Sequence, residues 1–260
     1  FESQKGVIIA GRGCGDASAI SDLAESLGWP VLADSRSGCQ GIPESVVHFD
    51  SLIRCHAFVE HHVPEVVLRI GESPSSKVLS QYVTKSGALQ VHVSAFENTF
   101  DADSQVSMHI SCDPTTFCRG ISRLIKATSD PNHLSQWVSA DQKARAIITK
   151  EFAYFKNALS APQVAFVSRA SLSTGDNLFV SSSMPVRDLE WFGGDCSSLQ
   201  VFSNRGANGI DGVIASAIGV AIATRQKTLV LLGDVAFLHD SSSLTALADR
   251  DVDLKIVVTD

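Results

Sequence analysis

Short runs of β-branched and other apolar residues alternate along this chain with longer stretches in which apolar positions recur every three to four residues. Residues 7–10, 30–33, 66–70, 89–93 and 108–112 read as strands. An apolar run of about four to eight residues between turn signals suits a strand covered on both faces. Residues 17–27, 49–59, 76–85 and 114–126 carry the helical period. The first of these helices ends at Gly28, a residue free to take the left-handed conformation that closes a helix. This alternation implies right-handed βαβ crossovers and a parallel sheet with helices on both faces.

The segment 127–133 is rich in Ser, Asp, Pro and Asn and marks a boundary. A long helical stretch follows over 134–161, closed by Pro162, and the alternation restarts with strands at 177–180 and 199–202. A glycine-rich loop, a small-residue helix over 213–224 and strands at 228–232 and 255–258 complete it. The expected fold class is α/β: a complete parallel-sheet domain over residues 1–132, a helical connector over 133–162, and the first part of a second α/β domain over 163–260. A chain that opens on Phe1 and closes on an apolar strand reads as a piece of something longer.

Composition narrows the possible partners. The 260 residues are 44 % hydrophobic and 19 % charged, with a formal charge of -7. That is a globular composition with a field unfavourable to nucleic acid. No apolar run reaches the roughly 18–20 residues of a membrane span. The six cysteines contain no Cys-x-x-Cys pair, so they read as reduced, mostly buried thiols in a cytoplasm-like compartment. His61-His62, after a predicted helix, reads as surface rather than metal site.

Two regions invite a ligand. Gly11-Arg12-Gly13-Cys14-Gly15 lies between a strand and a helix, where dinucleotide-binding glycines belong, but the third fingerprint glycine is replaced by Asp16. A plain tight turn is the expectation there. The second region is built from three successive strand ends. Ser181-Ser182-Ser183 opens a helix on which Ser183 and Arg187 stand one turn apart. The loop 203–212 carries Arg205, Gly206, Gly209 and Gly212. Gly233-Asp234 follows a buried strand, where glycine lets backbone approach a phosphate and the carboxylate can hold magnesium. Two arginines, a glycine cradle and a metal-type carboxylate suit an anionic substrate beside a magnesium–phosphate cofactor.

The stretches SNRGANGIDGVIASAIGVA (203–221), LLGDVAFLHD (231–240), SSSMPVRDLEWFG (181–193) and LRIGESPSSKVLSQYV (68–83) resemble the 2-succinyl-5-enolpyruvyl-6-hydroxy-3-cyclohexene-1-carboxylate synthase family of thiamine-diphosphate enzymes. So does the opening KGVIIAGRG. The resemblance covers nearly the whole chain and makes residues 1–132 a Rossmann-like central domain and 163–260 the start of a pyrophosphate-binding domain. It implies thiamine diphosphate and Mg2+ (or Mn2+) as cofactors, 2-oxoglutarate and isochorismate as substrates, and menaquinone or phylloquinone synthesis as the setting. The implied reaction decarboxylates 2-oxoglutarate and adds the succinyl-semialdehyde carbanion to isochorismate, in a homodimer or homotetramer located in the cytoplasm, or in a plastid or other organelle of a eukaryote. By the same resemblance Ser183, Arg187, Arg205 and Lys77 contact substrate, Lys77 being sent towards the site by the central domain. Ser183, Gly209, Ile210, Gly233, Asp234, Ala236 and Phe237 belong to the cofactor site, and Asp234 binds the metal. Val78 stands where the family often has a second basic residue. The asparagines that complete the family's metal motif, and its pyrimidine-binding domain, are expected outside this sequence, so the chain alone is expected to be inactive.

Three other readings stay open on the residues: another thiamine-diphosphate enzyme of acetolactate-synthase type, a non-catalytic nucleotide- or effector-binding module on the first domain, and a mere interaction fragment that pairs through its last strand.

Overall fold

A computed structural model describes residues 5–96, 104–125, 130, 132–154, 159–204 and 209–260. The chain divides into two compact units, Phe1–Thr149 and Lys150–Asp260.

In the first unit, β1 (Gly6–Ala10), β2 (Val31–Ala33), β3 (Ser45–Val46), β4 (Val66–Ile70), β5 (Leu89–Ser94) and β6 (Met108–Ser111) form a parallel sheet in the order β3-β2-β1-β4-β5-β6. Ile8, Leu68 and Val91 lie side by side in register. With Ala10, Ile70 and Val93 they face α1 (Ala17–Leu27) and α5 (Pro114–Ser122), meeting Ile20, Leu23 and Cys118. The alternate residues Val7, Ile9 and Val67 face α2 (Phe49–Ile53), α4 (Lys77–Ser86) and α6 (His133–Tyr154) through Phe49, Leu79, Tyr82 and the fully buried Trp137. The period of two along each strand thus fills two cores, as both-face coverage requires.

Four local readings of the sequence are corrected. Residues 45–46 add an edge strand that the polar pattern hid. The stretch 49–59 is two helices: α2 stops once Phe49 and Ile53 are seated in the core, Cys55 turns extended, and α3 (His56–His61) has no buried residue. Arg54 closes α2 by donating to Asp50 at 2.5 Å, and Asp50 also accepts from the Ser76 hydroxyl. The surface reading holds for His61 but fails for His62, which is buried, stacked on Phe58 at 3.9 Å, and 3.1 Å from Gln136 of α6. Finally, Pro162 opens a helix instead of ending one. In α7 (Ala161–Ala170), proline occupies the first turn, and Ser160 and Gln163 form a capping box.

The second unit is a parallel sheet of β7 (Asn177–Val180), β8 (Gln200–Phe202), β9 (Thr228–Gly233) and β10 (Leu254–Thr259), in the order β10-β9-β7-β8. Leu178, Val180, Leu229 and Leu231 face α7 and α8 (Met184–Phe192). Phe179, Val230 and Leu232 face α9 (Val213–Thr224) and α10 (Asp234–Asp240) through Ile214, Ala217, Ile218 and Ala236. The six cysteines are free, with Cys14, Cys39, Cys118 and Cys196 buried. Burial pushes the Cys118 thiol up to about 12, so it stays protonated and inert. Among the described residues no helix is long and apolar enough to cross a membrane.

Candidate functional site

Open parallel sheets bind ligands outside the carboxyl ends of their strands, where the strand order reverses. Each unit has such a point. In the first it lies between β1 and β4, and the protein's own backbone closes it. The Glu72 N–H donates to the Arg12 carbonyl at 2.9 Å. A Cβ on Gly11 would lie 1.6 Å from the Glu72 carbonyl oxygen, and one on Gly71 would lie 2.5 Å from that of Arg12. Arg36 binds Asp34 through two nitrogens, at 2.9 and 3.2 Å, and reaches Glu72 at 3.3 Å, with its own side chain and that of Asp34 buried. Asp16 accepts from the Ser18 N–H as the cap of α1 and pairs with Arg119 at 2.8 Å. A carboxylate therefore sits where a dinucleotide's pyrophosphate would, and the plain-turn expectation for this loop is met.

In the second unit the order reverses between β7 and β9. The loop after β7 carries Ser183, the residue before α8, at φ 75 and ψ -131. That is a conformation side chains adopt only under strain, of the kind found at ligand sites. Ser183 is exposed, and Arg187 stands half-buried one turn on, with no ion pair or hydrogen bond to another described residue. Across the reversal, Gly233 ends β9 and Asp234 begins α10. Gly233 has an ordinary φ of -79, and a Cβ there would meet nothing closer than the Thr259 carbonyl at 3.9 Å. No contact among the described residues requires glycine here, and a glycine without that need is suited to the close approach of a ligand.

The loop after β8 is braced from both sides. Ser182 donates to the Asn204 carbonyl at 3.2 Å, and the Asn204 amide reaches the Gly212 carbonyl at 3.3 Å and the Ser216 hydroxyl at 3.2 Å. Asn204 so ties the exit of β8 to the start of α9. Ser203, beside it, keeps a buried hydroxyl without a partner among the described residues. Such an orphan at the carboxyl edge fits a site that receives a polar ligand.

The predicted residues fall as follows. Ser183, Arg187, Gly233 and Asp234 flank one sheet edge at the reversal. Gly209 and Ile210 lie on the loop before α9, with Ile210 exposed and apolar as a prop for a flat ligand would be. Ala236 is buried in the core against α9 and has only its backbone to offer, while Phe237 is half-buried beside it. Arg205 lies outside the described residues. Lys77 opens α4 in the first unit, exposed and following the cap Ser76. Asn204 and Ser203 open the predicted loop 203–212, but their individual parts as a brace and an orphan hydroxyl depend on distant contacts that the sequence does not show. Asp234 is a single carboxylate, and no group of three ligating side chains exists among the described residues. That suits Mg2+, which takes one or two carboxylates and completes its shell with water and phosphate oxygens.

The family model described as the middle domain of thiamine pyrophosphate enzymes matches residues 1–180. The chain belongs to that family. Its similarity to particular proteins is narrower. It is 36 % identical to a 2-succinyl-5-enolpyruvyl-6-hydroxy-3-cyclohexene-1-carboxylate synthase of Myxococcus xanthus over 97 % of the chain and 44 % of that protein. It is 34 % identical to the synthase so named in Chloroflexus aurantiacus, over 99 % of the chain and 46 % of that protein. For Halorubrum lacusprofundi the figures are 33 %, 98 % and 46 %. The resemblance read from the motifs is borne out, and the chain spans less than half the length of these relatives.

Proposed function

We propose that the edge of the second sheet is half of a thiamine-diphosphate site, in a protein that makes 2-succinyl-5-enolpyruvyl-6-hydroxy-3-cyclohexene-1-carboxylate from 2-oxoglutarate and isochorismate. The observation that carries this is the pairing of a strained Ser183 and an Arg187 unpartnered among the described residues with a Gly233-Asp234 that no described residue obstructs, across the strand reversal. The whole reaction is assigned to a protein that also has the length of the relatives not covered here, so this chain alone binds without turning over. When bound, thiamine diphosphate supplies the electron sink for decarboxylation. The chain's residues supply the setting. Asp234 holds Mg2+, Gly233 admits the diphosphate, and Gly209, Ile210 and Phe237 border it. Arg187 and Arg205 meet substrate carboxylates with planar, bidentate donors, and the Ser183 hydroxyl donates beside them. The six free cysteines accord with a reducing compartment such as the cytoplasm.

The test is a calorimetric titration of the chain with thiamine diphosphate plus Mg2+, with NAD and FAD as comparisons. Binding of the first pair alone is expected. Asp234→Ala should weaken it by about a hundredfold, the loss of a charged ligand contact worth roughly 3 kcal/mol. Binding of NAD or FAD in its place would overturn the reading in favour of an effector module.

A further inference from the structure

α9 begins at Gly212, which has no side chain to cap it, and its first-turn amides are taken by a residue from another helix. The Ile214 N–H donates to Asp240 Oδ2 at 2.6 Å, and the Ala215 N–H donates to the same oxygen at 3.0 Å. The other oxygen accepts from the Ser243 hydroxyl at 2.6 Å. Burial pushes the Asp240 carboxyl up, but hydrogen bonds from Ser243 and from the backbone of Ala215, Ile214 and Gly212 outweigh it and hold the group below the usual carboxylate range. Asp240 is the last residue of α10, whose first residue is Asp234. The loop 203–212 thus has two anchors: Asn204 at its entry and Asp240 just past its exit.

We propose that Asp240 is a positioning residue, a carboxylate clamp that fixes Gly212 and the first turn of α9 against α10 and so sets their register with Asp234. The proposal rests on the reading of this edge as a diphosphate site, and its mechanism is plain. The positive end of α9 is already neutralised by Asp240, so an incoming diphosphate does not compete for those amides. The first turn of α9 and the Asp234 carboxylate keep a constant spacing. Neither group exchanges a proton or bond with substrate.

The experiment uses the whole chain with Asp240→Asn, Asp240→Ala and, as a control for general destabilisation, Thr228→Val. Thr228 is fully buried at the opposite end of β9, where its hydroxyl meets Asn177 at 2.9 Å. Two readouts are taken under conditions where circular dichroism shows every variant folded. Amide exchange over 209–216 should rise at least about tenfold in both Asp240 variants and stay unchanged in Thr228→Val. The dissociation constant for Mg2+–thiamine diphosphate should rise at least about tenfold in Asp240→Ala, less in Asp240→Asn, which keeps one acceptor, and not at all in the control. Unchanged exchange over 209–216 in the Asp240 variants overturns the clamp. So does an equal loss of affinity in Thr228→Val, which would make it mere destabilisation. Should the unaltered chain fail to bind Mg2+–thiamine diphosphate, the functional reading falls, and the exchange readout alone upholds or overturns the clamp.

Discussion

The two sheets are both parallel, with different strand orders, and they contrast most at one comparable place. Both reverse strand order beside their first strand, at a point where parallel sheets take ligands. In the first unit the loops after β1 and β4 are hydrogen-bonded together, two glycines let backbone meet backbone, and a buried arginine–carboxylate pair covers the join. In the second unit the corresponding loops carry an exposed serine in a strained conformation, a half-buried arginine without a partner among the described residues and a glycine that none of them crowds. Glycine therefore has opposite uses at the two points. At Gly11 it serves the chain's own packing. At Gly233 no described residue crowds it, and the proposed function gives that space to a ligand. A glycine-rich loop after a strand is no indication of a ligand until the neighbour it admits is known.

The contrast is most exposed at its charges. Arg36→Met should destabilise the first unit by about 3–5 kcal/mol, because it strands the buried Asp34. Arg187→Met should cost no more than about 0.5 kcal/mol. Denaturant melts of the two variants check this, and similar costs would erase the distinction. The glycines come next. Gly11→Ala forces a methyl into the Glu72 carbonyl and should cost at least about 3 kcal/mol. Gly233→Ala should leave the melting curve unmoved while weakening Mg2+–thiamine diphosphate binding, as calorimetry would record.

Acid provides the smallest lever. The second unit contains one histidine, the exposed His239, whereas His48, His62, His92 and His133 are buried in the first. Burial chiefly lowers the His133 pKa below its ordinary value. The unfolded chain then takes up a proton near pH 6.5 while the folded chain does not, so stability falls as pH drops through that value and levels off below the folded pKa. Amide exchange at pH 7.5 and 5.5 should show the first unit loosening ahead of the second, and His133→Gln should reduce the difference.

Much of this was legible in the residues. Every long strand and the helix 213–224 followed from periodicity, because parallel strands covered on both faces leave unbroken apolar runs. The placing of Ser183, Arg187, Gly233 and Asp234 just after strands could be read because strand ends are marked locally in the sequence. What escaped depended on partners far along the chain. His62 is buried by Phe58, Gln136 and Trp137, the last two on a helix more than seventy residues later. The break at Cys55 reflects where Phe49 and Ile53 reach the core, a tertiary event without a local breaker. The start of α7 could have been read, since Ser160 and Gln163 have capping-box spacing with proline between them. Asp240 could not: a carboxylate at the end of one helix says nothing of the helix it will cap.

The backbone of Ser183 bears on how this protein can change. Glycine occupies φ 75 freely, whereas serine does so at a cost of order 1–3 kcal/mol. A screen that rewards heat resistance alone would favour Ser183→Gly, and would remove the hydroxyl proposed to donate beside the substrate. Under the proposed function, stability and chemistry pull in opposite directions at that one position.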